Sequence, residues 1–164
     1  MTGPLTARII EARARQILRE DREISPGAIS AYSEEDIDAI VGEGAVKALA
    51  TLRPLERLPK VTLYRAVMVE SADGVELQAL GIYWTWDKEL ADPYWGVARY
   101  SPGAIVPDPV VLKAVVLRKD IDWATSGALL ALRGQDEGEI RVRKGAKVFL
   151  VSMGDVPYNV QARA

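Results

Sequence analysis

The chain has 164 residues, 49% of them hydrophobic and 27% charged, enough to bury one sizeable core. It contains no cysteine and no histidine, which excludes disulfides, thiolate and imidazole metal sites, and any Ser-His or Cys-His mechanism. The formal net charge of −2 gives no bulk basic excess for a phosphate backbone and leaves open only a local patch.

Acid–base work at neutral pH therefore falls to Asp, Glu, Lys or Tyr. A metal would have only oxygen ligands, and none is expected. The N-terminal stretch MTGPLTARIIEARARQILRED is too charged for a signal-peptide core, and no run approaches the length of a membrane span. Neither a Rossmann nor a P-loop glycine pattern is present.

In chain order, residues 4–20 predict an amphipathic helix with Ala7, Ile10, Ala14, Ile17 and Leu18 on one face. Ser25-Pro26-Gly27 is a break. Ser33-Glu34-Glu35-Asp36 reads as a capping box, with Asp36 reaching back. Ile37, Ile40 and Val41 follow as a buried side. Gly42 and Gly44 are expected to interrupt this helix, and Ala45–Leu52 to resume it with Val46 and Leu49 inward.

After Pro59 the character changes. Val61–Glu70 is rich in β-branched and aromatic residues and predicts a strand. Ser71-Ala72-Asp73-Gly74 is a hairpin turn signal, with Val75–Tyr83 as the return strand. Asp87 caps a short helix, Lys88–Ala91. Tyr94, Trp95 and Tyr100 crowd the next loop, and prolines and glycines over 102–109 make a rigid connection. Val110–Arg118 is a strong strand signal. Asp120–Leu132 reads as a loop with one helical turn. Glu139–Val142 and Ala146–Met153 are two strands joined at Gly145, and Pro157–Ala164 has no assignment. The pattern is α+β in a single domain, 1–164, with a helical part over 1–58 and a β-rich core over 60–153.

Three features stand out chemically. Arg65 shares its strand face with Val61, Leu63, Val67 and Val69, so it points where its neighbours are apolar. Such a charge is paired, snorkels at an edge, or recognises a carboxylate or phosphate. Trp84-Thr85-Trp86 ends a strand, as core or as a binding wall. The stretch GQDEGEIRVRKG (134–145) gathers Asp136, Glu137 and Glu139 at a strand mouth. It is either an ordinary acidic turn or a site in which Glu137 and Glu139, two residues apart, face the same side.

Together these resemble the Arg–Ser–Glu class of ADP-ribosyltransferases, over about residues 60–152. Tyr64-Arg65-Ala66 is similar to that family's Tyr-Arg-Gly on a first strand, with Ala for Gly. Trp84-Thr85-Trp86 resembles its Ser-Thr-Ser motif, with Trp84 and Trp86 where Ser is usual. Glu137-Gly138-Glu139-Ile140 resembles its Glu-x-Glu motif. A competing frame, Gln135-Asp136-Glu137, would make Glu137 the key acid; Glu139 is preferred because Ile140 and the strand follow it directly.

The resemblance implies N-terminal helices followed by a mainly antiparallel, split β-sheet core. It implies NAD as substrate and cleavage of the nicotinamide–ribose bond, with ADP-ribose passed to a protein acceptor or to water. Glu139 would stabilise the positive charge that develops on the ribose, and Glu137 would activate the acceptor. Arg65 would grip the phosphates, Tyr64 beside it would also bind NAD, and Thr85 would order the site. Tyr83, Trp84 or Trp86 would stack on nicotinamide. It further implies a toxin-like or phage protein; the net charge and the lack of signal-peptide and span patterns add the expectation of a cytoplasmic, delivered or virion-associated protein with neither nucleic acid nor membrane as partner. The alternatives are an inactive domain of the same fold serving as an interaction module, for example in a phage particle, and an unrelated helix-plus-sheet domain.

Overall fold

A computed structural model describes residues 3–20, 33–68, 75–91, 109–134 and 138–164. The chain divides into two compact units, one of residues 1–58 and 123–138, the other of 59–122 and 139–164. The single helical part expected over 1–58 therefore gains a later piece, and the sheet runs beyond 153.

The first unit is helical. α1 (Ala7–Glu20) buries Ile10, Ala14 and Ile17, as the spacing predicts. α2 (Glu34–Glu56) begins at Ser33, whose hydroxyl accepts from the Asp36 backbone N–H at 3.2 Å. The Ser33 hydroxyl also donates to the Asp36 carboxylate at 2.9 Å, so Asp36 reaches back to the side chain rather than to the backbone. Ser33→Ala removes the cap and is expected to cost about 1 kcal/mol, read as a lower urea midpoint.

α2 does not break at Gly42 and Gly44 but runs 23 residues, and its third helical partner explains why. α4 (Trp123–Arg133) approaches so closely that a Cβ on Gly44 would lie 2.5 Å from the Ala131 carbonyl oxygen. Gly44 is a contact point, not a breaker. The same approach sets the helix phase. Val41, Ala45, Ala48, Leu52 and Glu56 face inward. Val46, expected inward, is 62% exposed, and Ile40 lies at the rim. Buried Glu56 accepts from the Leu5 N–H at 3.2 Å.

α4 itself was legible only as a loop with one turn. Thr125 to Leu132 are all buried, so the segment has no polar face and no helical period to detect. Its Ala128, Leu129 and Leu132 join Ala14, Ile17 and Val41 in one core. No helix among the described residues is long and apolar enough to cross a membrane.

Among the described residues, the second unit forms one antiparallel six-stranded sheet. Its strands are β1 (Lys60–Met68), β2 (Tyr83–Thr85), β3 (Pro109–Leu117), β4 (Glu139–Arg141), β5 (Lys147–Met153) and β6 (Val156–Arg163), with a short helix α3 (Lys88–Ala91) after β2. The order is β4-β2-β1-β3-β5-β6. The α+β class holds, while these strands form one continuous sheet where a split core was expected.

β1 and β3 pair over nine positions, from Lys60 opposite Leu117 to Met68 opposite Pro109. Strand alternation sorts the side chains. Val61, Leu63, Trp84, Leu112, Ala114, Val116, Ile140, Val148 and Leu150 are buried on one face. Thr62, Leu117, Lys147, Phe149 and Gln161 are exposed on the other. β5 carries an extra residue, Val151, relative to β3, and the β5–β6 ladder skips Val151 together with Tyr158 and Asn159.

Two strand expectations change. Val75–Ile82 is not a return strand; Leu77 and Leu80 instead bond the backbone of Arg163 in β6, at 2.9 and 2.8 Å. The unassigned tail is the edge strand β6. Its Pro157 and its single buried residue, Ala162, hid the alternation. The turn at 71–74, the aromatic loop around Tyr94, Trp95 and Tyr100, and the break at Ser25 lie outside the described residues.

Candidate functional site

The site is assembled by strand register. Tyr64 on β1 stands opposite Thr85 on β2, and Thr85 stands opposite Glu139 on β4. Paired residues of an antiparallel sheet project to the same face, and strands lie about 4.8 Å apart, so the three occupy a row about 10 Å wide. Tyr83 stands opposite Arg141 in the next row of that face.

Thr85 is 7% exposed. Its hydroxyl accepts from the Asp87 N–H at 3.2 Å, and the Asp87 carboxylate accepts from the Glu89 N–H at 2.9 Å. This relay starts α3 where the capping signal at Asp87 placed it. It also holds the Thr85 oxygen fixed while its hydroxyl hydrogen stays available to donate.

Glu139 has a side chain 14% exposed, with Oε1 3.6 Å from Arg141 Nη2. The Arg141 guanidinium carbon sits 4.5 Å from the centroid of the Tyr83 ring, a cation–π contact. Arg141 was not singled out from sequence. The signal was there: in Glu139-Ile140-Arg141, two residues along a strand return to the same face. Glu137 lies outside the described residues.

Arg65 shares a face with Val61 and Leu63, as its position predicts, and that face is the opposite one to Thr85 and Glu139. Its Nη1 donates to the Tyr83 carbonyl at 2.6 Å. Its Nε, also buried, has no hydrogen-bond partner among the described residues. Burial lowers its pKa from the ordinary arginine value, and Tyr83 works against that lowering. The guanidinium lies against Gly81, where an added Cβ would come within 3.0 Å of its central carbon.

Trp84 is on that same face and is core, 2% exposed, with its indole N–H donating to the Gly81 carbonyl at 2.8 Å. Trp86 follows the strand and is half-buried. The register thus brings Tyr64, Thr85 and Glu139 together, adds Tyr83 and Arg141, and sets Arg65 and Trp84 behind the sheet.

Gly81 has φ of +90°, which side-chain-bearing residues adopt only with strain. Gly81→Ala is expected to cost about 2 kcal/mol, from that φ and from the clash with Arg65. Combining it with Arg65→Ala should recover about 1 kcal/mol, because only the contact is relieved. Urea melts of the four proteins in the cycle measure this coupling.

Against family models, curated proteins and solved structures, the chain gives no significant match.

Proposed function

We propose that this chain is an ADP-ribosyltransferase-like domain that binds NAD on the Thr85–Glu139 face and cleaves its nicotinamide–ribose bond. The observation that supports this reading is the unbroken register from Tyr64 through Thr85 to Glu139, two hydroxyls and a carboxylate side by side. In the reaction the C1′–N bond breaks and its electron pair leaves with nicotinamide. A water or a protein nucleophile then forms the new bond to C1′ and loses its proton. Glu139 faces the positive charge that builds on the ribose in between. Thr85 donates to the ribose or to Glu139. Tyr83 offers an aromatic face, 52% exposed, and Arg141 a guanidinium for the dinucleotide phosphates. Arg65 acts in this reading as a positioning residue that fixes the start of β2 through the Tyr83 carbonyl.

The second reading is an inactive interaction module of the same ancestry. It is favoured by the commitment of Arg65 to a backbone carbonyl and of Trp84 to the core. Calorimetric titration with NAD, together with a nicotinamide-release assay on the wild type, separates the two. Binding with release supports the enzyme. Absence of both leaves the interaction module.

A further inference from the structure

The four strands β1, β3, β5 and β6 contain no Asp or Glu. On their exposed face the register pairs Lys60 with Leu117 and Lys147 with Arg163, and the Val116–Val148 pair sets these two pairs at the same end of the sheet. The next row places Phe149 between Val115 and Gln161. The row after that pairs Tyr64 with Lys113. Phe149 is 54% exposed, an unusual position for the only phenylalanine of the chain. At the corner, Lys147, Gln161 and Arg163 line a polar cleft of about 250 Å³ together with Gln78. A chain whose net charge is −2 thus carries, over β1, β3, β5 and β6, a sheet face whose charged residues are all cationic, with Glu139 on the same face at the β4 edge.

We infer that this face binds single-stranded nucleic acid, with Lys60, Lys113, Lys147 and Arg163 on phosphates and Phe149 and Tyr64 stacking on unpaired bases. Charge complementarity selects a polyanion. The exposed aromatic ring between cationic rows selects one with accessible flat bases, because single strands are held by stacking platforms set in a basic surface. The inference shares Tyr64 and its sheet face with the NAD reading, so Lys60, Lys147 and Phe149, which lie outside that site, carry its test. It uses the local patch that the averaged charge of the chain conceals.

The test is fluorescence anisotropy with labelled twelve-nucleotide dT and rU strands at 50 and 200 mM salt, with a duplex of equal length alongside. Four phosphate contacts predict a log–log salt slope of about −3, so binding should weaken roughly fifty-fold between the two salts. Lys60→Gln with Lys147→Gln should halve that slope, and Lys→Arg at both positions should restore it. Phe149→Ala should weaken binding about tenfold and leave the slope unchanged. All three positions are exposed, so the core is untouched, and circular dichroism checks this. No anisotropy change at 100 µM protein in 50 mM salt would overturn the inference. So would a slope indifferent to the lysine pair, a duplex bound as tightly as the single strand, or Phe149→Ala binding like wild type, the mark of a merely electrostatic surface.

Discussion

Glu139→Gln is expected to reduce nicotinamide release at least a hundredfold while changing NAD affinity only a few-fold. Gln keeps the shape of the side chain and removes its charge. Ground-state NAD carries no full positive charge on the ribose ring, so binding has little to lose. The transition state does carry one, and a single preorganised electrostatic group in such a site is worth about 3–4 kcal/mol, a factor of 10²–10³. Arg141 sits 3.6 Å from the Glu139 oxygen and would face an amide in the variant, which adds to the loss by leaving uncompensated positive charge near the developing cation. The loss belongs in kcat and in kcat/KM alike, with KM nearly still. A rise in KM alone would assign Glu139 to binding. Unchanged turnover would move the chemistry elsewhere on the chain.

Gly44→Ala is expected to destabilise the protein by about 2–3 kcal/mol, although alanine is the better helix former by about 1 kcal/mol. The added methyl would meet the Ala131 backbone, with the carbonyl oxygen at 2.5 Å and Cα at 3.0 Å. Backbone cannot rotate away as a side-chain tip can, so α2 and α4 must separate and loosen the packing of Val41 against Leu129. Gly42→Ala, on the same helix, should do the reverse. Its nearest neighbour is a Glu11 carboxylate oxygen at 3.8 Å, ordinary contact, so the propensity gain of up to about 1 kcal/mol survives. Urea denaturation of the two variants should move the midpoint in opposite directions. Equal shifts would mean that helix propensity, not the close approach, governs both glycines.

Much of the fold was legible because its signals are local. Ser33 caps α2, Asp87 starts α3, and the β-branched runs mark β1, β3 and β5. Failures fall where tertiary contact overrides local preference. Gly42 and Gly44 read as breakers because a sequence does not display the helix that packs against Gly44. α4 read as a loop because burial on all sides erases periodicity. Val46 read as core because its hydrophobicity outranked the small residues that let helices approach.

At the candidate site, alternation correctly gave Arg65 an apolar-faced position. Which face Thr85 and Glu139 share follows only from register, and register across β2 depends on pairing between residues far apart in sequence. Arg141 was within reach of the same alternation once Glu139 had been placed.

The division of the helical unit into two stretches of chain has a consequence for synthesis. α1 and α2 leave the ribosome first, and α4 follows only after β1, β2, α3 and β3 have been made. Through that interval Ile17 and Val41 await Leu129 and Leu132, so the apolar stripe of the first two helices stays uncovered. The helical unit can therefore close only after most of the sheet sequence has been translated.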